Sequence, residues 1–267
     1  MITTEIAEKF LTLSHGRTRY LEAGSGYPTI LLHGVGFTSG GDNWALSMGQ
    51  LATRFRVLAP DFVGWGLGDR LDWGYGHWYL ADFVREFQDA LGMERANFIG
   101  HSMGGWVASL LAYESPDRLN KLVLVSSAGT RTQTLPHIAA FAPPTRESIR
   151  AQLPGRINVP GVNLDAMADE LAKRVEIPGA VEAYQRIMDA MNHPVMRQQY
   201  NTVRRLPHIK APTLVIWGRD DQTHPVEMGE ITHRLIPGSK LLIFENCGHF
   251  VYTERPGEFI QAVLDFL

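Results

Sequence analysis

The chain has 267 residues, of which 45% are hydrophobic and 20% charged, enough apolar material for a full core and too much for a disordered chain. Lys and Arg number 25 against 28 Asp and Glu, a formal charge of −3, and no cluster of like charges supplies the footprint that nucleic acid needs. No apolar run approaches the roughly 20 residues that span a bilayer, the first ten residues lack the basic start and apolar stretch of a secretory leader, and the single Cys247 allows no intrachain disulfide. A cytoplasmic protein with no nucleic-acid and no membrane partner is the expectation.

In chain order, Lys9 to Leu13 and Thr18 to Glu22 read as a hairpin around Ser14, His15 and Gly16. Thr29 to Leu32 is an unbroken apolar run, as expected of a strand covered on both faces, and it leads straight into His33, Gly34, Val35 and Gly36. Phe55 to Leu58, Phe98 to Ile99 and Leu122 to Val125 repeat that pattern. Between them Leu80, Phe83, Val84, Phe87 and Leu91, then Trp106, Val107, Leu110 and Leu111, carry helical spacing. Strand, helix, strand is the right-handed crossover of a parallel sheet.

After Gly129 the rhythm changes. From Arg131 to Arg205 only helical stretches occur, Asp165 to Arg174 and Ala180 to Met191 among them, separated by Pro-Pro and Pro-Gly breaks. Strands return at Thr213 to Trp217 and Lys240 to Phe244, bracketing a helix over Pro225 to Leu235, and Pro256 to Leu267 closes as an amphipathic helix. The expected organisation is a core of residues 1–130 and 206–267 with a helical insertion at 131–205.

The sharpest chemical signal is Gly100, His101, Ser102, Met103, Gly104, Gly105, because a buried strand ends in Gly-x-Ser-x-Gly and a helix comes at once. Such a turn presents the Ser102 hydroxyl at the carboxyl end of the sheet, and small residues let strand and helix backbones approach. The plainer alternative is a turn serine capping the next helix. A serine hydroxyl needs a base, and the base needs an acid. His249 comes after the last strand, and Asp220 and Asp221 after the strand before it, so parallel strands bring all three to one edge. Either aspartate could instead form an Asx turn before Pro225.

Two backbone N–H groups for a developing oxyanion are expected at Val35 and Met103, with His33 either bracing the first loop or hydrogen-bonded in the core. The glycines at 34 and 36 and at 64, 66 and 68 lack a dinucleotide or phosphate-loop fingerprint, and the ten histidines form no His-Glu-x-x-His pattern, so neither a cofactor nor a metal is expected. Cys247 reads as a small buried hydrophobe.

These segments together resemble the α/β-hydrolase superfamily over essentially the whole chain. The matching residues are Leu32 to Gly36, Pro60 and Asp61 through Gly66, Gly100 to Gly105, Trp217 to Asp221 with Pro225, and Gly248 with His249. The resemblance implies a mostly parallel eight-stranded sheet, an α/β fold with a helical cap after strand six. It selects Asp221, the third residue after Gly218, as the acid. Carboxylesterases share Gly-His-Ser-Met-Gly-Gly. Carbon-carbon hydrolases of aromatic ring-cleavage products are similar through the loop from Gly34 to Trp44 and through Arg174, which implies substrate contacts for Asn43 and Arg174. Those relatives usually have Asn where His101 stands and Trp where Phe250 stands. Phe37 and Phe250 are expected to line an apolar pocket for a small-molecule substrate.

The leading expectation is therefore a serine hydrolase cleaving a carboxylic ester through an acyl-enzyme. The alternative is carbon-carbon cleavage of a 2-hydroxy-6-oxo-dienoate, and a non-catalytic ligand receptor is a third. Whether the chain forms a homo-oligomer is left open.

Overall fold

A computed structural model describes residues 5–134 and 141–267; the part of the expected insertion at 135–140 lies outside the described residues. Strands β1 (Ala7–Leu13), β2 (Gly16–Ala23), β3 (Tyr27–Leu32), β4 (Phe55–Pro60), β5 (Ala96–His101), β6 (Leu119–Val125), β7 (Thr213–Gly218) and β8 (Lys240–Phe244) form one sheet in the order 1-2-4-3-5-6-7-8. β2 pairs antiparallel with β1 and β4, and every other pairing is parallel. The unbroken apolar runs of the central strands reflect burial on both faces. Ile30, Leu32, Leu122 and Leu124 enter one core cluster, while Leu31, Val123 and Val125 enter the other.

Helices α2 (His77–Ala90) and α3 (Met103–Glu114) cover the first face, and α1 (Ala45–Leu51) and α10 (Pro256–Phe266) the second. In α2 the buried Leu80, Phe83, Val84 and Phe87 recur at the spacing of one helix face. α3 is different: Met103 through Ala112 are all buried, as expected of a helix covered on every side. α8 (Val226–Leu235) lies against β7, where Gly229 leaves room for the Trp217 ring. The short α9 (Val251–Glu254) precedes α10.

Between β6 and β7 come α4 (Arg146–Gln152), α5 (Leu164–Ala172), α6 (Ala180–Asn192) and α7 (Pro194–Gln199), a helical subdomain inserted after the sixth strand. The predicted helix over Asp165 to Arg174 is α5 continued by a 3-10 turn at Lys173–Glu176. α4 and α7 are too short for periodicity to reveal them. Asn163 caps α5 by accepting the N–H groups of Asp165 and Ala166 at 3.1 and 3.0 Å. The two stems of the insertion are joined where the Thr202 N–H donates to the Gly129 carbonyl at 2.8 Å. Among the described residues no helix is long and apolar enough to cross a membrane.

The packing of α3 on the sheet leaves no room at Gly104, where a Cβ would lie 2.3 Å from the Leu32 carbonyl oxygen. Gly104→Ala is expected to cost about 1–3 kcal/mol, read as a lowered urea midpoint. Gly49→Ala in α1, where a Cβ meets nothing within 4 Å, serves as control and is expected to leave stability unchanged or raise it.

Candidate active site

β5 hands over to α3 through a single strained residue. Ser102 has φ 54° and ψ −116°, a conformation costing about 1–3 kcal/mol for a side chain other than glycine. Its N–H donates to the Val125 carbonyl at 3.0 Å, and its own carbonyl accepts from Trp106 at 3.1 Å and Ala128 at 3.0 Å. Gly100 allows this turn, since a Cβ there would lie 2.5 Å from the Gly104 oxygen. The α3 N-terminus begins immediately after, so the Met103 N–H is one of the donors that a helix leaves without an internal partner.

The ends of β7 and β8 bring Asp221 and His249 together. His249 Nδ1 and Asp221 Oδ2 are 2.7 Å apart, while Asp221 Oδ1 accepts the Thr223 and His224 N–H groups at 2.8 Å each. The Asx turn and the imidazole contact are thus made by one carboxylate, and Asp220 is exposed. Burial alone would raise the Asp221 pKa, but the His249 hydrogen bond and charge, with the His224 N–H, hold it below the usual carboxylate value. With Nδ1–H turned to Asp221, Nε2 is the ring nitrogen left to accept a proton.

Three further groups fix the His249 loop, and of these only His101 lies in a motif the sequence offered. Glu254 accepts the Gly248 N–H at 2.7 Å and the Phe250 N–H at 2.8 Å, bracketing His249 on both sides. His101 Nε2–H donates to the His249 carbonyl at 3.0 Å; burial and the His249 charge press its pKa well down, so the ring is neutral. His224 stands edge-on to His249 with ring centroids 4.9 Å apart and donates to the Ser126 carbonyl at 2.9 Å. Burial and the His249 charge hold its pKa down at about 4. Ser102 and His249 line one cavity, but among the described residues no hydrogen bond joins the hydroxyl to the ring. Such contacts commonly tighten only in the substrate complex.

The loop after β3 is held from beneath. His33, fully buried and pushed by burial to a pKa of about 4, donates from Nδ1 to the Gly34 carbonyl at 2.7 Å and accepts the Phe62 N–H on Nε2 at 3.0 Å. It is at once a core ring and a brace. The Trp65 indole donates to the Val35 carbonyl at 3.2 Å. Deeper still, the fully buried Asp61 takes Arg19 Nε at 2.8 Å and Nη2 at 3.0 Å, and accepts the Gly41 and Leu67 N–H groups at 2.7 and 2.8 Å.

Two cavities of about 290 and 200 Å³ meet at Ser102, Val35 and Thr223. Asn43, Phe250 and Arg156 line the first; Met188, Met191, Phe141 and Tyr184 line the second. Asn43 is the third residue of the 3-10 turn Gly41–Trp44, and its Oδ1 accepts the Gly40 N–H at 3.2 Å. Arg174 borders neither cavity. It is buried at the seam between insertion and core, donating to the Thr38 carbonyl and to Asp42. Burial alone would raise the Asp42 carboxyl, but Arg174 and Arg19 hold it low. Phe37 stacks on Phe141 at 5.6 Å and meets Tyr184 edge-on at 5.2 Å, a layer behind the second cavity. Cys247 is buried, its thiol pushed up to about 12 by burial and by Glu254.

Residues 27–256 match the family described as alpha/beta hydrolase fold. The chain belongs to that family. It is 32% identical over 268 residues to 2-hydroxymuconate semialdehyde hydrolase of Pseudomonas sp. strain CF600, covering 94% of this chain and 90% of that protein. It is 32% identical over 284 residues to 2-hydroxy-6-oxo-6-phenylhexa-2,4-dienoate hydrolase of Comamonas testosteroni, covering 98% and 94%. Its fold matches a meta-cleavage product hydrolase from Pseudomonas fluorescens IP01 with TM-score 0.83 at 28% identity, over 97% and 96% of the two chains.

This likeness overturns the expected carboxylic-ester hydrolase. The two curated relatives just given are hydrolases of ring-fission products by name, not carboxylesterases, and Gly-His-Ser-Met-Gly-Gly does not separate the two chemistries because both need the same serine and the same N–H donors.

If Asp221 orients His249, Asp221→Asn is expected to slow fluorophosphonate labelling of Ser102 by about 10³-fold or more, since the amide favours the wrong imidazole tautomer. The exposed Asp220→Asn is expected to label at the wild-type rate.

Proposed function

We propose that the protein hydrolyses the carbon-carbon bond next to the ketone of a meta-cleavage product, a 2-hydroxy-6-oxo-dienoate, with Ser102, His249 and Asp221 as its catalytic residues. The observation that supports this reading best is the likeness over 94% or more of the chain to hydrolases of that substrate class. The dienol must first become a leaving group. Moving the 2-hydroxyl proton to C5 gives a 2,6-diketone, and His249 is the base positioned to carry it.

Ser102 Oγ then adds to C6 while its proton passes to His249 Nε2, and the oxyanion at C6 is held by the Val35 and Met103 N–H groups. Collapse breaks the C5–C6 bond. The electron pair delocalises from C5 through the C3–C4 double bond onto the C2 oxygen, which takes the proton back and leaves as 2-hydroxypenta-2,4-dienoate. Water attacks the acyl-serine with His249 again as base, releasing the second acid.

The carboxylate at C1 needs a cation. Arg174 already faces Asp42, so the guanidinium assigned here is Arg156, on the wall of the first cavity beside Asn43. It lies 4.8 Å from the Phe250 ring centroid and donates to the Gln152 side chain, and burial lowers its pKa against a smaller opposing effect of Tyr252. Arg174 in this reading seats the insertion on the loop. We further infer a cytoplasmic enzyme with the core and cap divided at 131–205, which the buried, unpaired Cys247 and the helical run between β6 and β7 support.

The deciding experiment compares a coloured 6-phenyl dienoate with short-chain aryl acetates. The dienoate is expected to lead in kcat/KM by at least about 100-fold, roughly 2.7 kcal/mol of transition-state stabilisation; equal rates or an ester preference overturn the proposal. Arg156→Met is expected to raise KM for the dienoate about tenfold or more and to act less on aryl acetates, which lack the carboxylate. Arg174→Met is expected to lower stability first, because it leaves the partly buried Asp42 with one cation fewer.

A further inference from the structure

The second cavity holds charge for which the proposed reaction has no use. Arg131 and Arg197 both border it, together with Ser102, and among the described residues no acidic side chain does. Arg197 is 6% exposed, and its Nε is buried without a hydrogen-bond partner. One of its Nη groups donates to the Arg131 carbonyl at 3.4 Å, and its Cζ lies 5.5 Å from the Trp106 ring centroid. Burial and the neighbouring Arg131 both lower its pKa, and no acid opposes them. His77, 3% exposed, stacks on the same indole at 3.6 Å, and its Nδ1 also lacks a partner. Burial and the charge of Arg197 hold the His77 ring neutral, with a pKa of about 3.

A desolvated cation with no counter-charge is costly to keep in a fold, and the contrast within this protein is direct. Arg19 and Arg174 are equally buried, and each faces an aspartate. Arg197 faces a cavity. Met188, Met191, Phe141 and Tyr184 on its walls suit a short hydrocarbon chain leading from Ser102 to that cation.

We propose that the second cavity receives a carboxylate at the far end of the acyl half of the substrate, so that the preferred ring-fission product is a dicarboxylate. The inference rests on the carbon-carbon reading for the rest of the substrate. The first cavity takes the dienoate end, the C6 ketone sits over Ser102, and a chain of a few carbons ends between Arg131 and Arg197. Hydrolysis then releases a short dicarboxylic acid, and a reaction that consumes such an acid must come next.

The test uses two 2-hydroxy-6-oxo-dienoates that differ only at the end of the 6-substituent, a carboxylate in one and its methyl ester in the other. The wild-type enzyme is expected to favour the carboxylate by about fiftyfold in kcat/KM, the size of a charge-assisted hydrogen bond. In Arg197→Gln that ratio is expected to fall below about threefold, with Arg197→Lys restoring part of it. A wild-type ratio near one, or a ratio that Arg197→Gln leaves intact, overturns the inference. Loss of both substrates in equal measure would mean that Arg197 holds the dienoate end instead, which also overturns it.

If neither dienoate is cleaved by the wild type, the carbon-carbon reading fails, and calorimetry with glutarate decides the cavity separately. Saturable binding of glutarate but not its dimethyl ester, weakened about tenfold in Arg197→Gln or Arg131→Gln, supports an anion receptor; absence of that binding overturns it. Arg131→Gln also covers the case in which Arg197→Gln does not fold.

Discussion

The site depends on one backbone kink. Ser102 can hold φ 54° and ψ −116° only because its neighbours on every side determine where it must be: Val125 and Ala128 take its backbone groups, and Gly100 and Gly104 yield the space. From that kink three consecutive residues diverge to three tasks. His101 turns back to the carbonyl of His249, Ser102 faces the two cavities, and Met103 opens the helix with an N–H that has no partner inside it. A relaxed strand-to-helix turn would lose all three at once.

The electrostatics around His249 are set by burial. His101 and His224 flank its ring, and His33 braces the loop opposite; burial disfavours the charged form of each. They supply rigid, neutral hydrogen bonds and no positive charge to discourage the imidazolium that the proposed reaction forms. Asp221 is the carboxylate aimed at that ring, and the two N–H groups on its other oxygen keep it ionised while it does so.

Much of this was legible because the signals are local. A buried strand shows as an apolar run, and the residues just past the end of each parallel strand land on one sheet edge, so Ser102, the Asp220 and Asp221 pair and His249 could be found from strand ends. Spacing did not choose between the two aspartates. That choice lies in the turn, which sends Asp221 inward and leaves Asp220 in solvent. Arg174 read as a ligand contact because its partner Asp42 is 132 residues away in sequence. Arg156 and Glu254 carry no periodic signature, one lying in a proline-glycine break and the other in a four-residue helix. The bond to be cleaved is illegible in the elbow itself, since ester and ketone substrates ask the same of Ser102.

Asp61 carries a consequence for how this protein could change. Its carboxylate joins β2 through Arg19 and shapes the loop after β3 through Gly41, and Arg19 reaches on to Asp42, which Arg174 of the insertion also contacts. Lid and loop are therefore one inheritance. Exchanging this insertion for another, without matching Asp42, would leave two neighbouring carboxylates sharing one guanidinium, and the loop beneath would register the graft before any substrate arrived.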